Sequence, residues 1–344
     1  VVSMSEDGSR VGTLAPGGSG SVLVYEWKDN DWSPVGDMVS GLGAWSDAFA
    51  MSGDGKRFVV GTSTYKWIDS STRAVNGKAE IYEEVGGEWM LVKEIDSPND
   101  NDYFGYSVDL SFDGMEVVVG VPYSLNDSLY PRTNAGLARV YKQVLGNDWD
   151  SWEQVGSDLE LPGAILTDKF GYKVGMSKTG DRVIVGAYEA SQAVVFEQQS
   201  GGEWFQLGQV LEQGGVIGSV SMSHDGERVA VGSFYTVGAH VYELDSSFVW
   251  NEVGNAVTGP NSYGKATSLS SDGMTLGVGN SGSYVVTPPG KAGLYYTPPA
   301  PTQAPSTAPT STCFSCCEEV KSQMKTMEDK MDNMDGVLMT ILDL

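Results

Sequence analysis

The chain reads Met51-Ser52-Gly53-Asp54-Gly55 and then Phe58-Val59-Val60-Gly61, and this phrase occurs six times. The other copies of its first half are Ser3-Met4-Ser5-Glu6-Asp7-Gly8, Leu110-Ser111-Phe112-Asp113-Gly114, Met176-Ser177-Lys178-Thr179-Gly180, Met222-Ser223-His224-Asp225-Gly226 and Leu269-Ser270-Ser271-Asp272-Gly273. The residues before the glycines, from Asp7 to Asp272, are separated by 47, 59, 66, 46 and 47 positions. The period is therefore near 46 residues, and the two long steps indicate loop insertions at about 62–77 and 121–135.

Each unit continues with the same order of segments. A second run with an aromatic residue near its end comes next, as in Val22-Leu23-Val24-Tyr25 and Ala138-Arg139-Val140-Tyr141. A segment beginning with Trp then follows, at Trp32, Trp89, Trp152, Trp204 and Trp250, and Phe104-Gly105, Phe170-Gly171 or Tyr263-Gly264 opens a following unit. Short runs rich in Val, Ile, Tyr and Phe predict strands, and Asp-Gly between two runs predicts a tight hairpin because Gly tolerates positive φ.

Four strands in about 46 residues are typical of one propeller blade. The sequence therefore predicts an all-β fold over residues 1–296, a β-propeller of six four-stranded blades, with seven blades as the alternative. A sandwich also has short strands, but not a six-fold repeat of four-strand units. The glycines are expected to permit close approach of blades, and the Trp and Tyr residues to fill the wedge between sheets. Unit one begins inside its first strand and unit six lacks its Trp segment, so a strand upstream of Val1 could close the ring.

The stretch Phe104-Gly105-Tyr106-Ser107-Val108, continued by Asp113-Gly114 and Val119-Gly120-Val121-Pro122, resembles the FG-GAP repeat of integrin α-subunit propellers and related secreted proteins. Phe170-Gly171 with Gly186-Ala187 is a second match, and the resemblance covers about residues 1–296. It implies a β-propeller with extracellular binding or adhesive roles. Many family members bind calcium in the turn between the first two strands of a blade, through several Asp or Asn residues.

The calcium sites of that family are not expected here. The turn Ser111-Phe112-Asp113-Gly114 offers one carboxylate, whereas Ca²⁺ takes about six to eight oxygen ligands. Asp96, Asp100 and Asp102 could hold a cation weakly, although a solvated loop is the favoured interpretation. No cofactor and no metal site is therefore predicted.

Net charge is −24, from 21 basic and 45 acidic residues in 344. Such a chain is repelled by nucleic acid and by anionic membranes, so neither is an expected partner. No run of 18 or more apolar residues is present, so no membrane span is predicted. The start at Val1-Val2, inside a repeat unit, is typical of a mature or trimmed chain.

Residues 297–312 consist almost entirely of Pro, Thr, Ser and Ala. This composition predicts an extended, semi-rigid stalk and fits O-glycosylation in a secreted protein, with an undecorated linker as the alternative. The candidate O-glycosylation residues are Thr302, Ser306, Thr307 and Thr310. Asn126-Asp127-Ser128 is the N-glycosylation sequon and makes Asn126 a candidate site in the insertion of the third unit.

Residues 313–344 are predicted to form an oligomerisation segment. All three cysteines lie in it, at Cys313, Cys316 and Cys317, and an odd count predicts interchain disulfides in an oxidising compartment. A heptad seam follows, made of Val320, Met324, Met327, Met331, Met334, Leu338 and Ile341. One helix would leave this seam in water, so we expect a parallel coiled coil of two or three copies of the chain.

No catalytic constellation is recognisable, because the sequence has no Gly-rich phosphate loop, no metal-spaced His cluster and no nucleophile elbow. The Ser and Asp residues of the repeated turn occur in almost every unit, whereas a catalytic residue would more often occur once. We therefore expect a secreted or cell-surface, non-enzymatic structural or adhesive subunit. The alternatives are a multivalent glycan- or protein-binding head, and a hydrolase built on the propeller.

Overall fold

The computed structural model of the chain describes residues 1–15, 20–42, 48–67, 73–99, 102–123, 135–144, 151–164, 168–234, 238–258, 264–279 and 292–296. The chain divides into a first unit, Val1–Pro298, and a second, Pro299–Leu344, and all the described residues belong to the first. Their regular secondary structure is entirely β. Over these ranges, no helix is long and apolar enough to cross a membrane.

The first half of the described chain forms three antiparallel sheets. Sheet 1 contains β1 (Val2–Met4), β2 (Arg10–Ala15), β3 (Ser21–Lys28) and β4 (Asp31–Pro34), with β5 (Val39–Ser40) paired to β3. Sheet 2 contains β6 (Ala48–Met51), β7 (Arg57–Trp67), β8 (Arg73–Val85) and β9 (Glu88–Asp96). Sheet 3 contains β10 (Ser107–Leu110), β11 (Glu116–Val121), β12 (Leu137–Gln143) and β13 (Trp152–Gln154).

Three further sheets follow in the same pattern. Sheet 4 contains β14 (Phe170–Met176), β15 (Arg182–Ala187), β16 (Gln192–Gln198) and β17 (Trp204–Gln206), with β18 (Leu211–Glu212) paired to β16. Sheet 5 contains β19 (Ile217–Met222), β20 (Arg228–Ser233), β21 (Gly238–Leu244) and β22 (Trp250–Glu252). Sheet 6 is described with three strands, β23 (Ala266–Leu269), β24 (Thr275–Gly279) and β25 (Ala292–Tyr296).

Each sheet is built from strands that are consecutive in sequence, and every strand pair is antiparallel. This is the predicted blade, and the predicted all-β propeller is confirmed. The insertion expected at 62–77 extends the β7–β8 hairpin, which stays paired from Thr62↔Lys78 to Trp67↔Arg73. Most of the insertion expected at 121–135 lies outside the described residues.

The repeated turn owes its shape to its Ser, Asp and Gly. In sheet 2, Ser52 Oγ donates to Asp54 Oδ1 at 2.7 Å and accepts from the Arg57 amide at 2.9 Å, and Asp54 Oδ1 also accepts from the Lys56 amide. Gly55 has a φ of +67°, which a side chain would disfavour. The Ser and Asp residues therefore satisfy backbone groups of a tight hairpin, as the sequence predicts.

The middle strands supply the core. Val117, Val118 and Val119 of β11 have no exposed surface, and the same is true of Val183 and Val185 of β15. Side chains alternate across a strand, so both faces of these strands are covered. Sheets 3 and 4 are thus each packed between two neighbouring sheets, as blades of a propeller are.

Tryptophans join the outer strands of successive sheets. Trp204 Nε1 donates to the Val155 carbonyl of the preceding sheet at 3.0 Å, and Trp250 Nε1 donates to the Leu207 carbonyl at 2.8 Å. A Cβ on Gly156 would lie 2.8 Å from Trp204 Cδ1, so only Gly lets the indole ring approach. The predicted wedge-filling role is confirmed for Trp89, Trp204 and Trp250, as is the close approach permitted by Gly.

The six hairpin turns are linked around the inner edge. Five backbone hydrogen bonds of 2.9–3.0 Å join the residues that follow the turn Ser, each amide donating to the equivalent carbonyl of the next sheet. They run from Glu6 to Gly53, then to Phe112, Lys178, His224 and Ser271. Among the described residues no equivalent bond runs from Ser271 to Glu6, and Val2 and Met4 of β1 are 48% and 42% exposed. The structure describes six sheets, and closure of the ring stays a prediction.

Candidate functional site

The two ends of the sheets differ in chemistry. One end, the turn face, carries the six Ser-x-Asp-Gly turns. Because the strands are antiparallel, the other end gathers the start of each first strand and the finish of each second strand. The extended β7–β8 hairpin also projects at this second end, beyond Thr62 and Lys78.

The side chains on the turn face make ion-pair and cation–π contacts with one another. Glu6 lies 3.3 Å from both Lys178 Nζ and His224 Nδ1, which belong to sheets 4 and 5. Lys178 Nζ lies 3.9 Å from the Phe112 ring centroid, and a Cβ on Gly53 would overlap the Phe112 ring at 1.8 Å. This cluster joins sheets that are not consecutive in sequence. Its side chains contact one another, which is typical of a structural role.

The opposite end carries a continuous row of aromatic rings, here called the aromatic belt. Its members lie on sheets 3, 4 and 5 and are Tyr103, Tyr106, Tyr123, Tyr172, Tyr188 and Phe234. Successive ring centroids are 4.6 Å apart for Tyr103–Tyr123, 6.2 Å for Tyr123–Tyr106, 4.9 Å for Tyr106–Tyr172, 4.4 Å for Tyr172–Tyr188 and 6.0 Å for Tyr188–Phe234. All six rings are partly exposed, so the belt is an aromatic surface and not part of the core.

A buried Phe-Gly pair fixes each Tyr that follows it. Phe104 and Phe170 have no exposed surface. Gly105 and Gly171 have φ of +82° and +86°, and their carbonyls lie 1.9 and 2.0 Å from the positions where Gly61 and Gly120 would carry a Cβ. The segment that leads into the first strand therefore packs directly against a glycine of the preceding sheet. The next residue, Tyr106 or Tyr172, is held at the surface.

The residue before each Phe-Gly pair has an uncommon backbone conformation. Tyr103 and Lys169 have φ of +58° and +55°, a left-handed region that non-Gly side chains rarely adopt. Asp102, which is buried, accepts from the Phe104 amide at 3.0 Å and from Ser97 Oγ at 2.6 Å. Its burial raises the pKa of Asp102, although these hydrogen bonds act in the opposite direction. Local strain held by surrounding structure is common at functional sites.

Three lysines lie against the belt. Lys169 Nζ is 5.1 Å from the Tyr188 centroid and 5.8 Å from the Tyr123 centroid, Lys173 Nζ is 5.6 Å from the Tyr172 centroid, and Lys265 Nζ is 5.8 Å from the Phe234 centroid. Partial burial lowers the pKa of Lys169, but its hydrogen bond to Glu189 and the nearby Tyr123 outweigh burial and raise the pKa. Lys169 is therefore protonated at neutral pH.

One acidic group lies on an inner strand, between the two ends. Asp109 of β10 accepts from the Met176 amide of the next sheet at 2.8 Å and from the Leu110 amide at 2.9 Å. Burial raises the pKa of Asp109 to about 6, against the effect of these two hydrogen bonds. Asp109 thus links sheets 3 and 4. At the equivalent positions of other sheets, Ser3 accepts from the Met51 amide and Ser221 accepts from the Leu269 amide.

The site residues predicted from sequence lie outside the described residues. They are the disulfide candidates Cys313, Cys316 and Cys317, the coiled-coil residues Val320, Met324, Met327, Met331, Met334, Leu338 and Ile341, and the glycosylation candidates Asn126, Thr302, Ser306, Thr307 and Thr310. Asp100 of the weak cation cluster also lies outside them, whereas Asp102 bonds Ser97 and Phe104. Within the described ranges, no group of three or more His, Cys, Asp or Glu side chains could hold a metal ion.

Sequence reasoning missed the belt, because it assigned the aromatic residues of every blade to the wedge between sheets. The Trp residues do have that role, but the belt tyrosines follow a different signal. Phe-Gly-Tyr occurs at 104–106 and again at 170–172, and an aromatic residue follows the second strand at Tyr123, Tyr188 and Phe234. Both positions fall at the same end of the sheets, which only the strand register reveals.

No family model and no curated protein matches the chain. Solved structures match it with low sequence identity. The periplasmic gluconolactonase PpgL of Pseudomonas aeruginosa is 14% identical, with a TM-score of 0.55 over 86% of this chain and 88% of that one. Hydrazine synthase of Kuenenia stuttgartiensis is 14% identical, with a TM-score of 0.53 over 86% and 82%. KlAtg21, in complex with the coiled coil of AgAtg16, is 13% identical, with a TM-score of 0.55 over 87% and 80%.

These similarities show the β-propeller fold and nothing finer. The matched proteins include a lactonase, a synthase and a protein in complex with a coiled coil, so the fold alone selects no activity. The function has to be inferred from the surfaces of this chain.

Proposed function

We propose that this chain is a non-enzymatic extracellular structural or adhesive subunit whose propeller head binds glycans through the aromatic belt. The observation that carries the proposal is the row of six partly exposed rings crossing three sheets. Sugar rings present apolar C–H faces that pack on aromatic faces, and contact surfaces rich in Tyr gain area at low cost in conformational entropy. A row of such rings suits an extended ligand.

The placement of the belt on rigid elements supports a binding role. Tyr106 and Tyr172 follow buried Phe-Gly pairs, and Tyr103 and Lys169 are held at positive φ. A surface that is ordered before the ligand arrives loses less entropy on binding. The resemblance to FG-GAP repeats is part of the proposal, since it implies extracellular binding or adhesion.

The predicted tail supplies the structural half of the proposal. A parallel coiled coil of residues 313–344 with interchain disulfides at Cys313, Cys316 and Cys317 would present two or three heads on stalks. Linked heads convert weak single sites into strong attachment to a repetitive ligand. The proposal places the protein outside the cell, at a surface or in an extracellular assembly.

A glycan array probed with the full chain tests the binding half. We expect retention on at least one glycan, and loss of most of that signal in the variant Tyr172→Ala/Tyr188→Ala. The matched control is Phe205→Ala, because Phe205 is 59% exposed on β17 and lies outside the belt. Equal retention of the wild type and the belt variant, or no retention of the wild type on any glycan, would contradict the proposal.

A further inference from the structure

We propose that the glycan bound at the aromatic belt is anionic, a polysaccharide carrying carboxylate or sulfate groups. The inference rests on the proposed glycan-binding function and adds the chemical class of the ligand. Its basis is the set of three lysines that accompany the rings, placed one after another along the belt.

The lysines follow the course of the belt across two sheets. Lys169 precedes β14 and Lys173 lies within it, while Lys265 directly precedes β23 and contacts Phe234 of sheet 5. Each ammonium lies 5.1–5.8 Å from a belt ring centroid, within reach of a cation–π contact. A sugar stacked on these rings would have its ring substituents next to positive charge.

The arginines of the sheets are engaged elsewhere. Arg10, Arg57, Arg182 and Arg228 each bond a glutamate of their own sheet and a turn carbonyl of the next sheet. Lys265, in contrast, is exposed and has no carboxylate within 4.0 Å among the described residues. Lys265 thus adds positive charge beside Phe234 in the belt.

The net charge of −24 does not cancel this local charge. Charges separated by more than about 8 Å are largely screened at physiological ionic strength. The field at the belt is therefore set by Lys169, Lys173, Lys265 and their neighbours, of which Glu189 is bonded to Lys169 at 2.7 Å. A neutral glycan gains only ring stacking there, whereas an anionic glycan gains stacking and ion pairing.

Two matched pairs of polymers separate charge from backbone chemistry. The first pair is polygalacturonate and its fully methyl-esterified form, and the second is dextran sulfate and dextran. Affinities of the full chain are measured by biolayer interferometry at about 0.15 M salt. We expect at least one anionic polymer to bind about tenfold more tightly than its neutral partner, and the pair that shows the preference identifies carboxylate or sulfate.

Two double variants assign the preference to the belt. Lys173→Gln/Lys265→Gln should weaken binding of the anionic polymer about threefold to tenfold, the size expected for two ion pairs in contact with solvent, and leave binding of the neutral partner unchanged. Lys28→Gln/Lys56→Gln is the matched control, since it removes the same charge from two exposed positions at the other end of the sheets. Equal affinity for both members of each pair, or an equal loss in the control, would overturn the anionic assignment.

The two proposals fail differently. Glycans retained on the array without any preference for the anionic member of either pair would overturn the anionic assignment and leave glycan binding in place. Binding of all four polymers that is unaffected by Tyr172→Ala/Tyr188→Ala would overturn the belt as the site, and with it both proposals.

Discussion

Glycines that share a backbone conformation can have different roles. Gly208 and Gly254 follow the fourth strands of sheets 4 and 5, with φ of +73° and +75°. A Cβ on Gly208 would lie 2.6 Å from Trp250 Cδ1, whereas a Cβ on Gly254 would meet no described atom within 4 Å. The first position is limited by conformation and by packing, and the second by conformation alone.

Substitution of these two glycines separates the two effects. We expect Gly254→Ala to lower the free energy of unfolding by about 1 kcal/mol, the usual order for a side chain in left-handed backbone. Gly208→Ala should cost about 1–3 kcal/mol more, because the indole ring of Trp250 has to move. Urea denaturation of both variants measures the difference. Equal losses would show that Trp250 does not depend on the missing Cβ.

Asp109 makes the stability of the propeller depend on pH. Burial raises its pKa to about 6 in the folded chain, above the unfolded value near 3.8, so the folded state holds the proton more tightly. The corresponding stability is present in full below about pH 4 and is lost as pH rises through about 6. The hydrogen bonds from Met176 and Leu110 limit the shift without reversing it.

The variant Asp109→Asn keeps an acceptor oxygen and removes the titration. We expect it to match the wild type at pH 4 and to be more stable by about 2 kcal/mol at pH 7.5, the order given by a shift of this size. Chemical denaturation of both proteins across this range gives the difference directly. A difference that is independent of pH would contradict the raised pKa.

Neighbouring sheets are joined by one repeated element, an arginine at the start of the second strand. Arg228 donates to Glu243 on the paired strand and to the Gly273 carbonyl of sheet 6, and only 5% of its side chain is exposed. Sheet 3 has the charges reversed, since Glu116 occupies the arginine position and pairs with Lys142. The ion pair between the second and third strands is thus kept in sheet 3 with the opposite order of charges.

Removal of the two partners of this pair should have unequal effects. Arg228→Met removes the hydrogen bond to the Gly273 carbonyl and the ion pair with Glu243, and is expected to lower the free energy of unfolding by about 2–3 kcal/mol. Glu243→Gln should cost less than about 1 kcal/mol, because the Glu243 side chain is 37% exposed and the arginine keeps its carbonyl contact. Thermal and urea denaturation compare the two. A larger loss for Glu243→Gln would contradict the account.

The repeat made the strands and their order predictable, because its turns are local. Ser52 and Asp54 satisfy their own hairpin, so the phrase specifies a turn wherever it occurs. The sequence also shows an arginine after the turn, but the carbonyl that it bonds lies 45 residues away, as for Arg10 and Gly55, and could not be identified from the sequence. The belt was hidden for the same reason, since it joins residues from three sheets whose meeting depends on strand register.

At the scale of the whole molecule, the proposed function predicts that the tail sets how many heads act together. In denaturant, the secreted protein should have the mass of a dimer or trimer without reductant and the mass of a monomer after reduction. The variant Cys313→Ser/Cys316→Ser/Cys317→Ser should be monomeric in denaturant under both conditions, because the coiled coil alone does not survive it. Wild-type monomer with free thiols in the absence of reductant would refute the disulfide-linked assembly and remove the main argument for secretion.

Head and tail then combine into one account of function. In the proposed function, the propeller would bind single stretches of glycan through its aromatic and cationic belt, and the predicted disulfide-linked tail would multiply these contacts. The account requires the ligand to lie on the belt and not on the turn face, where Glu6, Lys178 and His224 contact one another.

The most direct test of this requirement is hydroxyl-radical footprinting of the full chain, with and without the glycan that the array selects. We predict that Tyr106, Tyr172 and Tyr188 become protected from oxidation when the glycan is bound, while Phe205 and Phe248, which are 59% and 60% exposed outside the belt, react as before. Protection of Phe112 on the turn face, with the belt tyrosines unchanged, would contradict the account.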